Sequence, residues 1–278
     1  MTISIEKLHV IGEEALHKQI DFTDADDDLV SAIQAQDETV FAVCCAEKLV
    51  GVVQMETGND AYLYIFLDPA ARGSGIGRDV LALCERKLYE QGAQQIRTSY
   101  RTDHAYASSF ARQNGYVRRF ASAYMQYAGV PFDVGEVPLR AYCDDDYDIV
   151  QALHARAFHE MRVRVGDFPD SVIEPPSDEV RRYLASTCDG RFVYEENGEI
   201  MGYAHLCRNE ISSVCVGVPY QARGIGHDLV RWLCNQVLAK GYETVSLFCV
   251  VGNTARRLYD KMGFEEKYVV EFAEKRIS

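Results

Sequence analysis

From residue 225 to residue 238 the apolar positions follow a helical period: Ile225, Leu229, Leu233 and Val237 recur every four residues, and Val230 and Leu238 widen the same stripe. This spacing predicts an amphipathic helix with one buried face. Gly241 stands where a glycine closes such a helix. Ahead of it the period changes. "RFVYEENGEIMGYAHL" (191–206) and "EISSVCVGV" (210–218) are rich in β-branched and aromatic residues and predict strands, the first folded back on itself at Asn197-Gly198. After the helix, "TVSLFCV" (244–250) predicts another strand, followed by a last helix and a closing strand, and a helical region over 145–186 precedes the set.

The N-terminal half predicts the same elements in the same order. A helical region over about 12–36 leads into "VFAVCCAEKLVGVVQME" (40–56), which turns around Ala46-Glu47-Lys48, then "AYLYIFL" (61–67), a glycine loop, a helix ending at Gly92, and "QIRTSY" (95–100). Subtracting 149 carries Gly224, Gly226, Asp228 and Gly241 onto Gly75, Gly77, Asp79 and Gly92; 148 carries Gly263 onto Gly115, and 151 carries Gly202 onto Gly51. An internal repeat decides the architecture before any motif does. The expectation is two mixed α/β (α+β) domains in tandem, over 1–130 and 137–278, joined by the Gly- and Pro-bearing linker 128–138.

A helix needs no glycine at its start, yet Gly224 and Gly226 precede one predicted helix and Gly75 and Gly77 the other. Glycine permits positive φ and leaves successive N–H groups free to converge on an anion, and a helix N-terminus adds about half a positive charge. The loop therefore reads as a phosphate cradle. Leu229 occupies the place of the third glycine of a dinucleotide fingerprint begun at Gly224-x-Gly226, and Arg78 that of one begun at Gly73-x-Gly75, and no Gly-Lys-Ser/Thr follows for a Walker loop. The segments Gln221-Ala222-Arg223-Gly224-Ile225-Gly226 and Arg72-Gly73-Ser74-Gly75-Ile76-Gly77 resemble the Gln/Arg-x-x-Gly-x-Gly pyrophosphate motif of the GCN5-related N-acetyltransferase (GNAT) superfamily. About 30 residues later, "ARRLYDKMGF" (255–264) is similar to that family's A-x-x-L-Y-x-x-x-G-F segment, and "ASSFARQNGY" (107–116) is a looser copy.

The resemblance implies two GNAT-like domains, each a central, mainly antiparallel twisted sheet flanked by helices, and acetyl-CoA as acyl donor. It implies a pantetheine arm between strands 210–216 and 245–250, held by backbone N–H groups of Val214, Cys215 and Val216, with the pyrophosphate on residues 221–226 and a further contact from Asn253. In the first half, Arg72, Gly73, Gly75 and Gly77 take the cradle positions. By the same resemblance Glu210 is the base that takes a proton from the acceptor amine, and Tyr259 the group that serves the departing thiolate. Subtracting 149 and 148 puts Ala61 and Ala111 in their places, so the N-terminal domain is expected to be catalytically silent.

Net charge is −13, which disfavours a nucleic-acid partner, since phosphate backbones demand clustered Lys and Arg. The runs "DADDD" (24–28) and "DDDYD" (144–148) read as solvated helix caps. Nine scattered cysteines without paired spacing suggest buried reduced thiols, not a disulfide framework or a zinc site, and no metal is expected. No apolar run suits a membrane span or secretory signal, so a cytoplasmic protein, monomer or homodimer, is expected. His154, His159, Glu160, Asp167, Asp170 and Glu174, in the region that faces the acceptor in this superfamily, either recognise a cationic amine or form a solvated face. The leading expectation is acetylation of a primary amine on a small molecule; a protein amine, or CoA binding without catalysis, are the alternatives.

Overall fold

The computed structural model describes residues 2–8, 13–187 and 189–276, so the expected helix start at 12 and Cys188 lie outside the described residues. Two compact units emerge. The first runs through Tyr100, adds Ala105–Arg118 and takes back the chain from Phe272 onward; the second holds Arg101–His104 and Arg119–Glu271.

In the first unit, β1 (Ile3–Lys7), α1 (Glu13–Gln19) and α2 (Asp27–Gln34) are followed by β2 (Val40–Cys45), β3 (Lys48–Glu56) and β4 (Asp60–Leu67). Then come α3 (Ile76–Glu90), β5 (Gln95–Arg101), α4 (Ala105–Gln113) and the start of β6 (Val117–Tyr127). The strands lie in the order β1-β2-β3-β4-β5, antiparallel except for the parallel β4/β5 pair. Residues 272–276 of the last strand, β12 (Glu265–Arg276), lie beside β5, where Gln95 Nε2 donates to Glu274 Oε2 at 3.2 Å.

The second unit repeats the plan with β7 (Leu139–Ala141), α5 (Tyr147–Val165), α6 (Asp178–Ser186), β8 (Arg191–Glu196), β9 (Glu199–Cys207) and β10 (Glu210–Val216). After these come α7 (Ile225–Ala239), β11 (Val245–Val250) and α8 (Arg256–Met262). Its order is β7-β8-β9-β10-β11-β6-β12, with β10/β11 the parallel pair. Residues 119–127 of β6, from the first repeat in sequence, pair antiparallel with β11 from Val245↔Tyr127 to Val250↔Ser122. Most of β6 is thus given to the second unit and the end of β12 to the first.

The predicted stripe is the buried face of α7: Leu229, Val230, Leu233 and Val237 are fully buried, and Ile225 nearly so. Each such side chain contributes about 1.5–3 kcal/mol by leaving water. Both predicted hairpins form as two-residue turns with positive φ, at Asn197-Gly198 and at Ala46-Glu47, where φ is 49° and 67°; Lys48 already belongs to β3.

The acidic runs lie at helix starts as expected, with Asp26 and Asp146 at the N-cap positions of α2 and α5, but three of their members are not merely solvated. Asp146 is 5% exposed and grips Arg140 through two 2.7 Å bonds, while Asp26 accepts the Tyr64 hydroxyl at 2.7 Å and Asp24 holds Arg72. A nearby guanidinium or phenol repays what burial of a carboxylate costs, and neither is visible in a run of aspartates. Of the described cysteines, Cys143 and Cys207 are exposed and the others buried, all as free thiols.

Candidate active site

Strands β10 and β11 pair only at Glu210↔Ser246 and Ile211↔Leu247; beyond that, β10 is paired to β9 alone. The parallel strands therefore splay over Val214–Val216, where the N–H groups of Val214 and Val216 face the gap on the β11 side; that of Cys215 points to β9, as Gly217 N–H does in bonding the Met201 carbonyl, which corrects the expected contact from Cys215. The cradle loop follows directly, at the C-terminal end of β10, and opens α7.

Gly224 is the residue before α7 and has φ 91°; Gly75, before α3, has φ 89°. Only glycine adopts this conformation without strain, and no atom of the described residues lies within 4 Å of where a Cβ would stand at either position. Among the described residues, none of the N–H groups of 222–226 or of 73–77 is bonded to a backbone carbonyl. Two open rows of donors at helix N-termini suit a pyrophosphate.

The side chains at the head of each motif shape the loop. Gln221 Nε2 donates to the Val216 carbonyl at 3.1 Å, and at the matching place Arg72 Nε donates to the Leu67 carbonyl at 2.9 Å. Arg72 is further tied to Asp24 by bonds of 2.5 and 2.9 Å and lies 4.5 Å from the Tyr106 ring centre, so the structure commits its guanidinium to the protein. Arg223 donates to the Pro219 carbonyl at 3.2 Å.

One position is strained. Ala222 has φ 62°, where the first repeat has Gly73 at φ 74°. A left-handed alanine costs roughly 1–2 kcal/mol. Ala222→Gly is expected to raise stability by about 1 kcal/mol, read as a higher urea midpoint at unchanged m-value; an unchanged or lower midpoint would remove the strain from the account.

Glu210 opens β10, half-buried, opposite Cys207 and Ser246. Ile211, Val214 and Val216 all pack on the α7 side, which strict alternation forbids; the pairing with β9 shifts between Ile211 and Ser213, leaving Ser212 as a bulge. The first repeat has no bulge at this place: Tyr62 stands opposite Glu56 in β3 as Glu210 stands opposite Cys207 in β9. The counterpart of Glu210 is therefore Tyr62, a correction to Ala61, because a constant offset of 149 does not survive an inserted residue. Tyr62 is bonded to Ser99 at 2.9 Å, so a carboxylate is still missing there. Sequence reasoning missed Ser212 and its partner: the hydroxyl lies 2.9 Å from His205 Nδ1. The signal available was the three-residue gap between Ile211 and Val214.

Tyr259 on α8 is 9% exposed, and its ring meets Phe264 edge-on at 5.8 Å. Burial, with Cys249 nearby, raises its pKa above 10, so the phenol keeps its proton. Ala111 is its true counterpart: Phe264 N–H donates to the Tyr259 carbonyl as Tyr116 N–H does to that of Ala111. Asn253 spends its carboxamide oxygen on the Ala255 N–H at 3.0 Å, in the turn that leads into α8, which leaves its amide hydrogens for a ligand.

Two of the acidic residues on α5 and in the segment after it are already paired with arginines. Glu160 pairs with Arg156 at 3.3 Å and Asp170 with Arg119 at 3.3 Å, while His159 is bonded to Ser171 at 3.1 Å. His154 stacks on Phe158 at 4.2 Å, and burial, with Arg162 and Arg191, lowers its pKa to about 4. Its folded pKa lies below the unfolded value of ~6.5, so the stability it confers is complete above that pH and is lost as pH falls through 4. The urea midpoint is expected to drop across this window, and His154→Phe should flatten the drop by roughly one proton's worth of slope; an unaltered slope would exclude His154 as the group responsible.

Comparison with known proteins agrees with this geometry. The Acetyltransferase (GNAT) family model matches residues 157–264, and a second, the Acetyltransferase (GNAT) domain, matches 36–118, together more than half of the chain. The chain belongs to the GNAT family. It is an acyltransferase carrying two GNAT domains in tandem. A mycothiol acetyltransferase of Amycolatopsis mediterranei is 26% identical over 250 residues, covering 80% of this chain and 79% of that protein. Among solved structures, a GCN5-related N-acetyltransferase from Sphaerobacter thermophilus superposes with a TM-score of 0.71 at 18% identity, covering 99% of this GNAT and 95% of that chain. A tandem GNAT protein from the clavulanic acid biosynthesis pathway gives 0.66 at 15% identity, with 99% and 98% covered. At these identities the structures speak for the GNAT fold alone. No helix among the described residues is long and apolar enough to cross a membrane.

Proposed function

We propose that this protein transfers an acetyl group from acetyl-CoA to a primary amine of a small molecule, and that the second repeat performs the chemistry. The observation that carries the reading is the combination, in the second unit only, of splayed strands, an open cradle, Glu210 on the splayed strand and a protonated Tyr259 on α8. The acetyltransferase relative, named for a small-molecule acceptor, supports it.

The backbone N–H groups of 222–226 would hold the pyrophosphate and those of Val214 and Val216 the pantetheine and thioester carbonyl. Acetyl-CoA supplies an activated acyl group whose carbonyl gains negative charge as it is attacked, and fixed N–H donors favour that charge. Glu210 takes the proton that the amine must shed, since an alkylammonium with a pKa of ~10 is not a nucleophile. Tyr259 offers its hydroxyl to the departing sulfur. A thiol has a pKa of ~8.5 and a tyrosine one of ~10, so full proton transfer from Tyr259 is uphill, and burial makes it more so. Its role is therefore to donate a hydrogen bond. The first repeat, with Tyr62 and Ala111 in these places, is read as non-catalytic.

The test is thiol release from acetyl-CoA by the purified protein across aminoglycosides, polyamines, amino acids and peptides. Release that depends on a small amine supports the proposal. Release only with peptides would shift the acceptor to a protein, and silence with CoA still bound would reject transfer.

A further inference from the structure

On the face of the second unit's sheet that carries α5 and α6, one row is apolar and the next polar. Val193, Tyr203 and Cys215 are cross-strand neighbours on β8, β9 and β10, buried together under the two helices. Two residues along, the next row on this face is Arg191, His205 and Ser213, again direct cross-strand neighbours. The first unit fills the matching row with Val40, Gln54 and Tyr64. The fold itself does not demand a charge here.

Arg191 is 4% exposed. Its Nε donates to the Thr187 carbonyl at 2.8 Å and to Oγ1 at 3.2 Å, Nη2 donates to the same Oγ1 at 2.7 Å, and Nη1 donates to the Tyr203 hydroxyl. The Tyr183 ring centre lies 5.5 Å from the guanidinium carbon. No carboxylate pairs with Arg191 among the described residues. Thr187 caps the C-terminus of α6, whose carbonyls offset about half a charge. Among the described residues, two of the five N–H donors and the rest of the charge stay unmatched.

Two further groups in the same neighbourhood lack partners among the described residues. The buried Ser213 hydroxyl has no hydrogen-bond partner there, and neither has that of Tyr142, whose ring meets Tyr203 at 6.3 Å and whose N–H donates to the Arg191 carbonyl at 3.0 Å. His205 and His154 are both neutral, each lowered to about 4 by burial and in part by Arg191, so the cluster carries one net positive charge. An unpaired buried charge is among the costliest features a fold can hold, and unmatched buried hydroxyls add to it. A ligand bringing anionic acceptor oxygens would relieve all of these at once.

Position supplies the chemistry of that ligand. Glu210 alternates with Ile211, which faces the α7 core, so Glu210 shares the α5/α6 face with Ser213. Three residues along a bulged strand span roughly 7–10 Å. Hydrogen bonds of about 3 Å at each end leave room for the short link between an amine and a carboxylate. We propose that Arg191, His205 and Ser213 bind a carboxylate carried by the acceptor, so that the acceptor is an amino acid or a closely related amino carboxylate. The proposal rests on the acetyl-transfer reading of Glu210 and the cradle.

Two measurements test it separately. Calorimetric titration of the full chain with N-acetylglycine and with its neutral counterpart N-acetylglycinamide is expected to show saturable binding of the carboxylate alone. Arg191→Lys, which keeps the charge but not the planar fork, should weaken it by about tenfold or more. Thiol release with paired acceptors, amino acids against their amides, should favour the carboxylate by a similar factor in wild type and lose that preference in the variant. Equal binding of acid and amide, or a preference untouched by Arg191→Lys, would overturn the subsite even if transfer is brisk. Carboxylate binding that depends on Arg191 without any thiol release would instead uphold the subsite and overturn the acetyl-transfer reading.

Discussion

Glu210→Gln is expected to lower kcat/KM for the acceptor by about 10²–10⁴-fold at neutral pH while acetyl-CoA affinity stays as in wild type. The replacement keeps the size and position of the side chain at the head of β10 and removes only its capacity to accept a proton. Because the amine must arrive neutral, raising the pH toward its own pKa of ~10 supplies by mass action what the variant lacks. The deficit should therefore shrink as pH rises. A loss of equal size at every pH would mean that Glu210 positions the acceptor and takes no proton; unchanged activity would remove it from the site.

Tyr259→Phe is expected to lower kcat by about 10–100-fold, the kinetic equivalent of a hydrogen bond to a developing charge, ~1.5–3 kcal/mol. The ring is packed against Phe264 and retained in the variant, so the unfolding midpoint should not fall. Because the hydroxyl donates without surrendering its proton, the shape of the pH–rate profile should also persist. A basic limb present in wild type and absent in the variant would show that Tyr259 releases its proton after all. An unaltered kcat would exclude any role at the sulfur.

The two repeats, the order of their elements and the cradle were legible because each has a short-range signature: a four-residue apolar period in α7, Asn197-Gly198 at a hairpin, glycines at a fixed offset. What escaped depends on pairing between distant segments. The bulge at Ser212 alters the alternation of β10 only relative to β9, so the offset that aligned Gly224 with Gly75 misaligned Glu210 with Ala61. Arg72 matches the motif letter for letter, but its bond to Asp24, 48 residues earlier, cannot be read from the motif. The row of Arg191, His205 and Ser213 brings together three strands, and in sequence each member is an ordinary polar residue at the edge of an apolar run.

The sharing of β6 and β12 between the units bears on how the chain is synthesised. Residue 118 leaves the ribosome long before residues 272–276, which lie beside β5 and complete the first unit. At ordinary elongation rates the interval is roughly 10–30 s. Throughout it β5 offers a bare edge of N–H and C=O groups, the kind of surface on which neighbouring nascent chains pair. Cutting the gene at the junction between repeats would make that interval permanent, since each fragment would carry away strand residues that the other needs.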